Sequence, residues 1–141
     1  MKALTLHFKI ISVLLPLFLA AQPFALAQTG ALDGKTFVAE LGVKGKSAHE
    51  KADVISFKEG KFHSSSCDQY GYSQGTYTVA ASGDAATFDV ETVSESDGKL
   101  QWHGTVKGAE IEGKYTHYPK PGFFRRNPAP VESWFKGTLR Q

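Results

Sequence analysis

The chain has a single cysteine, Cys67, among its 141 residues. One cysteine excludes an internal disulfide framework and any zinc site built on two or four thiolates. Helical periodicity is missing after Gln28, so no amphipathic helix is expected there. The one long apolar stretch is N-terminal, from Ile10 to Ala21. Gly71-Tyr72-Ser73-Gln74-Gly75 has the Gly-x-Ser-x-Gly spacing, but no helical periodicity follows it as a nucleophile elbow requires and no segment marks an oxyanion hole, so a serine-hydrolase architecture is not indicated. Among the histidines beyond Gln28, namely His49, His63, His103 and His117, no two stand at i and i+2 on one strand. No metal site and no cofactor site is therefore expected.

The N-terminus reads as an export signal over residues 1–27. Lys2 and Lys9 precede the apolar run, and Ala25-Leu26-Ala27 places small residues at a cleavage site. Pro16 and Pro23 interrupt the run, which is shorter than the roughly 20 apolar residues of a membrane span. The expected product is exported, periplasmic or extracellular, with one domain over 28–141 and no stable membrane insertion. Of 16 basic and 14 acidic residues in the chain, Lys2 and Lys9 belong to the signal, leaving 14 of each (16 − 2 = 14). A neutral domain has no electrostatic reason to bind nucleic acid.

What is abundant is period-two alternation, the pattern of strands with one buried face. Eight strands are expected, over 35–41, 52–58, 61–67, 75–81, 86–93, 99–107, 110–118 and 131–140. Their apolar face holds Phe37, Ala39, Leu41, Ile55, Phe57, Phe62, Tyr77, Val79, Phe88, Val90, Leu100, Trp102, Val106, Ile111, Tyr115, Phe135 and Leu139. With no helix to cover that face, the sheet must bury it against itself. The expected fold is all-β, a single antiparallel up-and-down barrel of about eight strands, with a two-layer sandwich as the alternative.

Two turns fix registers. Glu59-Gly60 as a two-residue loop pairs Lys58 with Lys61 and Phe57 with Phe62. Gly108-Ala109 as a type II′ loop pairs Lys107 with Glu110, Val106 with Ile111, Gly104 with Gly113 and Trp102 with Tyr115. Lys107 and Glu110 then form a cross-strand charge pair. Gly42 to Glu50 reads as a polar loop. Pro119 to Pro130, with four prolines, reads as a second loop carrying Phe123-Phe124-Arg125-Arg126.

The ends of the domain resemble the calycins, the lipocalins and fatty-acid-binding proteins. Leu32-Asp33-Gly34-Lys35-Thr36-Phe37 looks like their Gly-x-aromatic opening strand, with Phe37 where lipocalins carry Trp. Phe135-Lys136-Gly137-Thr138-Leu139-Arg140 places an Arg at the close of the last strand, which in lipocalins packs over that Trp. A second, partial resemblance covers residues 53–79. There Phe57-x-x-Gly60-x-Phe62, Ser66-Cys67 and Gly75-Thr76-Tyr77-Thr78 are similar to META/HslJ-like envelope domains.

Two functional readings follow. In the first, the barrel binds a small apolar or aromatic ligand in its lumen without turnover. Trp102, Tyr115, Phe57, Phe62 and Phe88 line that lumen, and the inward Gly104 and Gly113 leave volume beside the rings. In the second, the core is filled and the domain is an interaction module of the cell envelope, acting through surface loops. Phe123, Phe124, Arg125 and Arg126 form a lid or docking loop, or the two Phe fold back to plug the barrel end. Ser64, Ser65, Ser66, Cys67 and Asp68 with a histidine are a grouping from which a nucleophile could be built. Cys67 shares parity with His63 and Ser65 on the polar face, where a tolerated small residue is the expectation, so no catalytic residue is assigned.

Overall fold

The structure, a computed structural model, describes residues 30–141. The export signal over residues 1–27 and its cleavage site lie outside the described residues. Eight antiparallel strands close into one up-and-down barrel in sequence order. They are β1 (Thr36–Val43), β2 (Ala48–Lys58), β3 (Lys61–Ser64), β4 (Gly75–Ser82), β5 (Ala85–Ser94), β6 (Gly98–Lys107), β7 (Glu110–Pro119) and β8 (Val131–Leu139). Closure comes from β8 pairing with β1, Phe37 opposite Leu139 and Leu41 opposite Phe135. The sheet thereby loses both edges and shields its apolar face on itself.

Both turn-derived registers hold. Phe57 faces Phe62 and Lys58 faces Lys61. Glu59 and Gly60 have φ of 52° and 73°, as a type I′ loop requires. Val106 faces Ile111, Gly104 faces Gly113 and Trp102 faces Tyr115. Lys107 and Glu110 are also partners in register, but the lysine instead reaches Asp84 in the neighbouring turn, at 3.7 Å. The expected Lys107–Glu110 charge pair is therefore not formed.

Two segments depart from the sequence reading. Residues 42–50 are mostly strand, with β1 running on to Val43 and β2 starting at Ala48, so only a tight turn remains between them. β3 stops at Ser64, and Ser65–Tyr70 wind into a short 3-10 helix. The strand therefore does not reach Cys67, and its pairing with β4 is confined to Lys61–Thr76 and Phe62–Gly75. Asp53 is the physical reason. It lies inward, 1% exposed, and accepts from Ser64 Oγ at 2.7 Å, Ser65 Oγ at 3.0 Å and Ser66 N at 2.8 Å. A buried carboxylate needs such donors, and satisfying it pulls the chain out of the strand path.

The core is the barrel interior. Phe57 packs against Phe37, Phe62, Tyr77 and Phe88 with ring centroids 4.9–6.3 Å apart. Trp102 continues this column, 4.9 Å from Phe62, 5.6 Å from Phe135 and 4.4 Å from Tyr115, on which it stacks. Its indole N–H donates to Thr92 Oγ1 at 3.2 Å. Every residue assigned to the apolar face is buried except Leu139, which is half-buried at the strand end.

One end of the barrel is closed by residues 30–35, which precede β1. Leu32 is 2% exposed and plugs the opening. Its N–H donates to the Tyr77 hydroxyl at 3.0 Å, which donates to Asp33 Oδ1 at 2.7 Å. The Asp33 carboxylate also accepts from Gly60 N, at 3.0 and 3.1 Å. Burial, with the Asp33 carboxylate adding, pushes the Tyr77 phenol up to about 12. Arg140 does not stack on Phe37 as the lipocalin pattern implies: no such cation–π contact exists among the described residues. The ends of the barrel are joined through backbone instead, Arg140 N to Thr36 O at 2.7 Å.

Candidate functional site

The lumen expected beside Gly104 and Gly113 is occupied. A Cβ at Gly104 would lie 2.6 Å from Cζ of both Phe135 and Phe88. At Gly113 it would lie 2.3 Å from the His103 carbonyl oxygen and 2.6 Å from Phe135 Cζ. The glycines face inward, as parity requires, but the space above them is filled by rings. They permit close approach and leave no floor for a ligand. Phe57, Phe62, Phe88 and Trp102 are all at most 2% exposed and touch one another.

Open space remains at the end opposite Leu32. There the ends of β1, β2, β6, β7 and β8, the 3-10 helix and the β5–β6 turn surround a cup of about 340 Å³. Its apolar wall is Leu41, Val43, Leu100, Tyr72, Tyr115 and Val131, and its polar lining includes Ser66, Cys67, Ser133, His49 and His117. Of the residues expected to hold a ligand, Tyr115 alone lines the cup. Trp102 is stacked behind it. A larger hollow of about 480 Å³ lies among Thr76, Asp89, His103 and Lys114, with Val90 and Trp102 also in its lining. That hollow lies between solvated strand side chains, whereas the mouth cup has the apolar lining of a ligand site.

The rim of the cup is tied together by Asp97. Tyr72 Oη donates to Asp97 Oδ2 at 2.7 Å, and His117 Nε2 lies 3.3 Å from the same oxygen. Burial holds the Tyr72 phenol far above its ordinary range, and the Asp97 carboxylate adds to this. The Tyr115 phenol is likewise raised, chiefly by burial. Both tyrosines therefore stand as neutral hydroxyls in the cup.

Cys67 is half-buried in the 3-10 helix and packs against the core, not on the polar face. Its Sγ lies 3.3 Å from Ser64 Oγ. Burial pushes the thiol up to about 11, the opposite of what a nucleophile needs. His63 is paired with Asp68 at 2.7 Å and His103 with Asp89 at 2.7 Å, and neither hydrogen-bonds Cys67. Among the described residues no three His, Cys, Asp or Glu side chains converge as metal ligands, and no helix is long and apolar enough to cross a membrane.

Asp53, Leu32, Tyr72 and Asp97 were not singled out from sequence. For Asp53 the signal was present: it shares parity with Ile55 and Phe57, and an inward carboxylate demands nearby donors. Leu32 stands in the opening motif and Asp97 in a turn, but these two and Tyr72 lie outside any alternating run, so nothing local marks them as inward-facing. Phe123 and Phe124 are 90% and 97% exposed. They do not fold back to plug the barrel, and neither lines the cup.

No family model matches the chain, and neither curated proteins nor solved structures give a match. The eight-stranded antiparallel barrel is consistent with a calycin-like architecture.

Proposed function

We propose that the domain is an exported, non-enzymatic calycin-like barrel, closest in type to the lipocalins and fatty-acid-binding proteins. It binds a small apolar or aromatic ligand at its mouth. The observation that carries this reading is the cup of about 340 Å³, floored by Tyr115 and walled by Leu41, Val43, Leu100 and Val131. Its size is at the lower end of the range for small-molecule sites, about 300–1,000 Å³. The expectation of a lumen-centre site at Trp102, Gly104 and Gly113 gives way in this proposal to the rim, because rings fill the column below the cup.

Trp102 reports on the cup through Tyr115, and Trp134→Phe leaves it as the only tryptophan. Native mass spectrometry of protein from its own source is expected to show a retained small molecule. Adding apolar aromatic compounds to the Trp134→Phe protein is expected to change Trp102 emission. Val131→Arg lays a charged chain across the mouth. It should weaken that response at least about tenfold while changing stability by no more than about 0.5 kcal/mol, as for other surface positions. No retained molecule, together with unchanged Trp102 emission across the compounds, would refute the reading.

A second reading, the filled-core interaction module, is favoured by a different observation. Phe123 and Phe124 stand fully in solvent beside Arg125 and Arg126. Two adjacent exposed rings are unusual unless a surface covers them.

A further inference from the structure

The loop between β7 and β8 has an internal order of its own. Gly122 N donates to Arg125 O at 2.9 Å, and Arg125 N donates to Gly122 O at 3.3 Å. That reciprocal pair makes a two-residue hairpin whose loop is Phe123-Phe124. Pro119, Pro121, Pro128 and Pro130 restrict both legs. Lys120 anchors the base through its N–H to Asp97 O, at 3.0 Å, and its ammonium to the Glu95 carbonyl. The tip is therefore held by backbone bonds, and its two rings meet edge to face, centroids 5.0 Å apart, while exposed to water.

The charge around the rings has one sign. Residues 119–130 contain Lys120, Arg125 and Arg126 and no acid. Among the described residues neither arginine forms an ion pair. A convex apolar point ringed by unpaired guanidinium groups matches a soft, negatively charged surface with an apolar interior. We propose that this hairpin docks the barrel on an anionic lipid bilayer, the rings entering the interfacial region and Arg125 and Arg126 binding lipid phosphates. The two rings project into solvent, the shape that enters a fluid surface. His117 and Val131 line the cup on either side of the loop, so docking presents the cup's end of the barrel to the lipid. The proposal rests on reading the loop as the interaction surface and is independent of the cup's ligand.

The test is co-sedimentation of the purified protein with phosphatidylcholine vesicles and with phosphatidylcholine:phosphatidylglycerol vesicles at about 2:1, the anionic lipid supplying the surface potential. The wild type is expected to bind the anionic vesicles and not the neutral ones, with binding weakened by salt. Phe123→Ser/Phe124→Ser should lower binding at least about tenfold through lost apolar burial. Arg125→Gln/Arg126→Gln should lower it by about tenfold or more, since each cation near such a surface contributes roughly fivefold. All four positions are exposed, so melting curves of both double variants should match the wild type. A wild type that ignores anionic vesicles, or binding that neither double variant alters, overturns bilayer docking. A photo-crosslinker at Asn127 separates the two levels. If vesicles are ignored but it joins a protein in the cells of origin, bilayer docking falls and the interaction module stands. If vesicles are ignored and nothing is joined, both fall.

Discussion

Replacing Gly104 and Gly113 by Ala measures how full the barrel is. At Gly104 the new methyl sits 2.6 Å from Cζ of Phe135 and of Phe88 and 2.7 Å from Phe88 Cε1. Carbon atoms in good contact stand about 3.5–4.0 Å apart, so two rings must each retreat by roughly 1 Å. Both rings are at most 1% exposed, and their own neighbours block the retreat. Overpacking of this kind costs about 1–3 kcal/mol, and the reduced freedom of the unfolded chain returns about 0.4–1 kcal/mol. Gly104→Ala should therefore lose about 1–2 kcal/mol. At Gly113 the methyl meets the His103 carbonyl oxygen at 2.3 Å and Gly104 Cα at 2.6 Å. Those atoms belong to the β6–β7 ladder and have no rotamer to change, so Gly113→Ala should lose about 3 kcal/mol or more. In thermal melts, at roughly 4 °C per kcal/mol for a domain of this size, the expected drops are about 4–8 °C and at least about 12 °C. Urea melts should agree with unchanged m-values. Phe135→Leu removes the Cζ that crowds both glycines. Gly104→Ala in that background should cost about 1 kcal/mol less than in the wild type. If Gly104→Ala is as stable as the wild type, or more so, the floor beside Trp102 is open and the account of a filled lumen is wrong.

Two further outcomes follow from the Asp53 turn. Asp53→Ala leaves the Ser64 and Ser65 hydroxyls and the Ser66 N–H without their acceptor and should lose about 2–4 kcal/mol in urea melts. Hydrogen exchange at Ser66 should accelerate, and a loss below about 1 kcal/mol would mean the turn holds without the carboxylate. Cys67 should react slowly with iodoacetamide near neutral pH and faster only as pH rises toward its raised value of about 11. The unfolded thiol ionises first, near the ordinary value of 9.0, so the folded state binds more protons between these values and stability falls as pH rises from about 9 to about 11. Rapid labelling of the folded protein at neutral pH would refute this burial.

The strand order, both hairpin registers and the buried face were legible because each depends on neighbours two apart or on a two-residue turn. Alternation places Phe57, Trp102 and Phe135 inward whatever the final shape, and Glu59-Gly60 and Gly108-Ala109 set which residues oppose each other. Parity also turned Gly104 and Gly113 inward, but it cannot say whether a ring from β5 or β8 crosses above them. That depends on the curvature at which the barrel closes. Distance along the chain hides the rest. Asp53 meets the hydroxyls of Ser64 and Ser65 only once β2 and β3 pair, and this converts the end of β3 into a 3-10 turn. Leu32 closes one end only because Tyr77, 45 residues later, reaches its N–H. The other end stays open as the cup: strand tips from across the chain surround it, and among the described residues no segment plugs it as Leu32 plugs the first. Its volume is a difference between barrel girth and side-chain bulk, a quantity that only the closed sheet possesses.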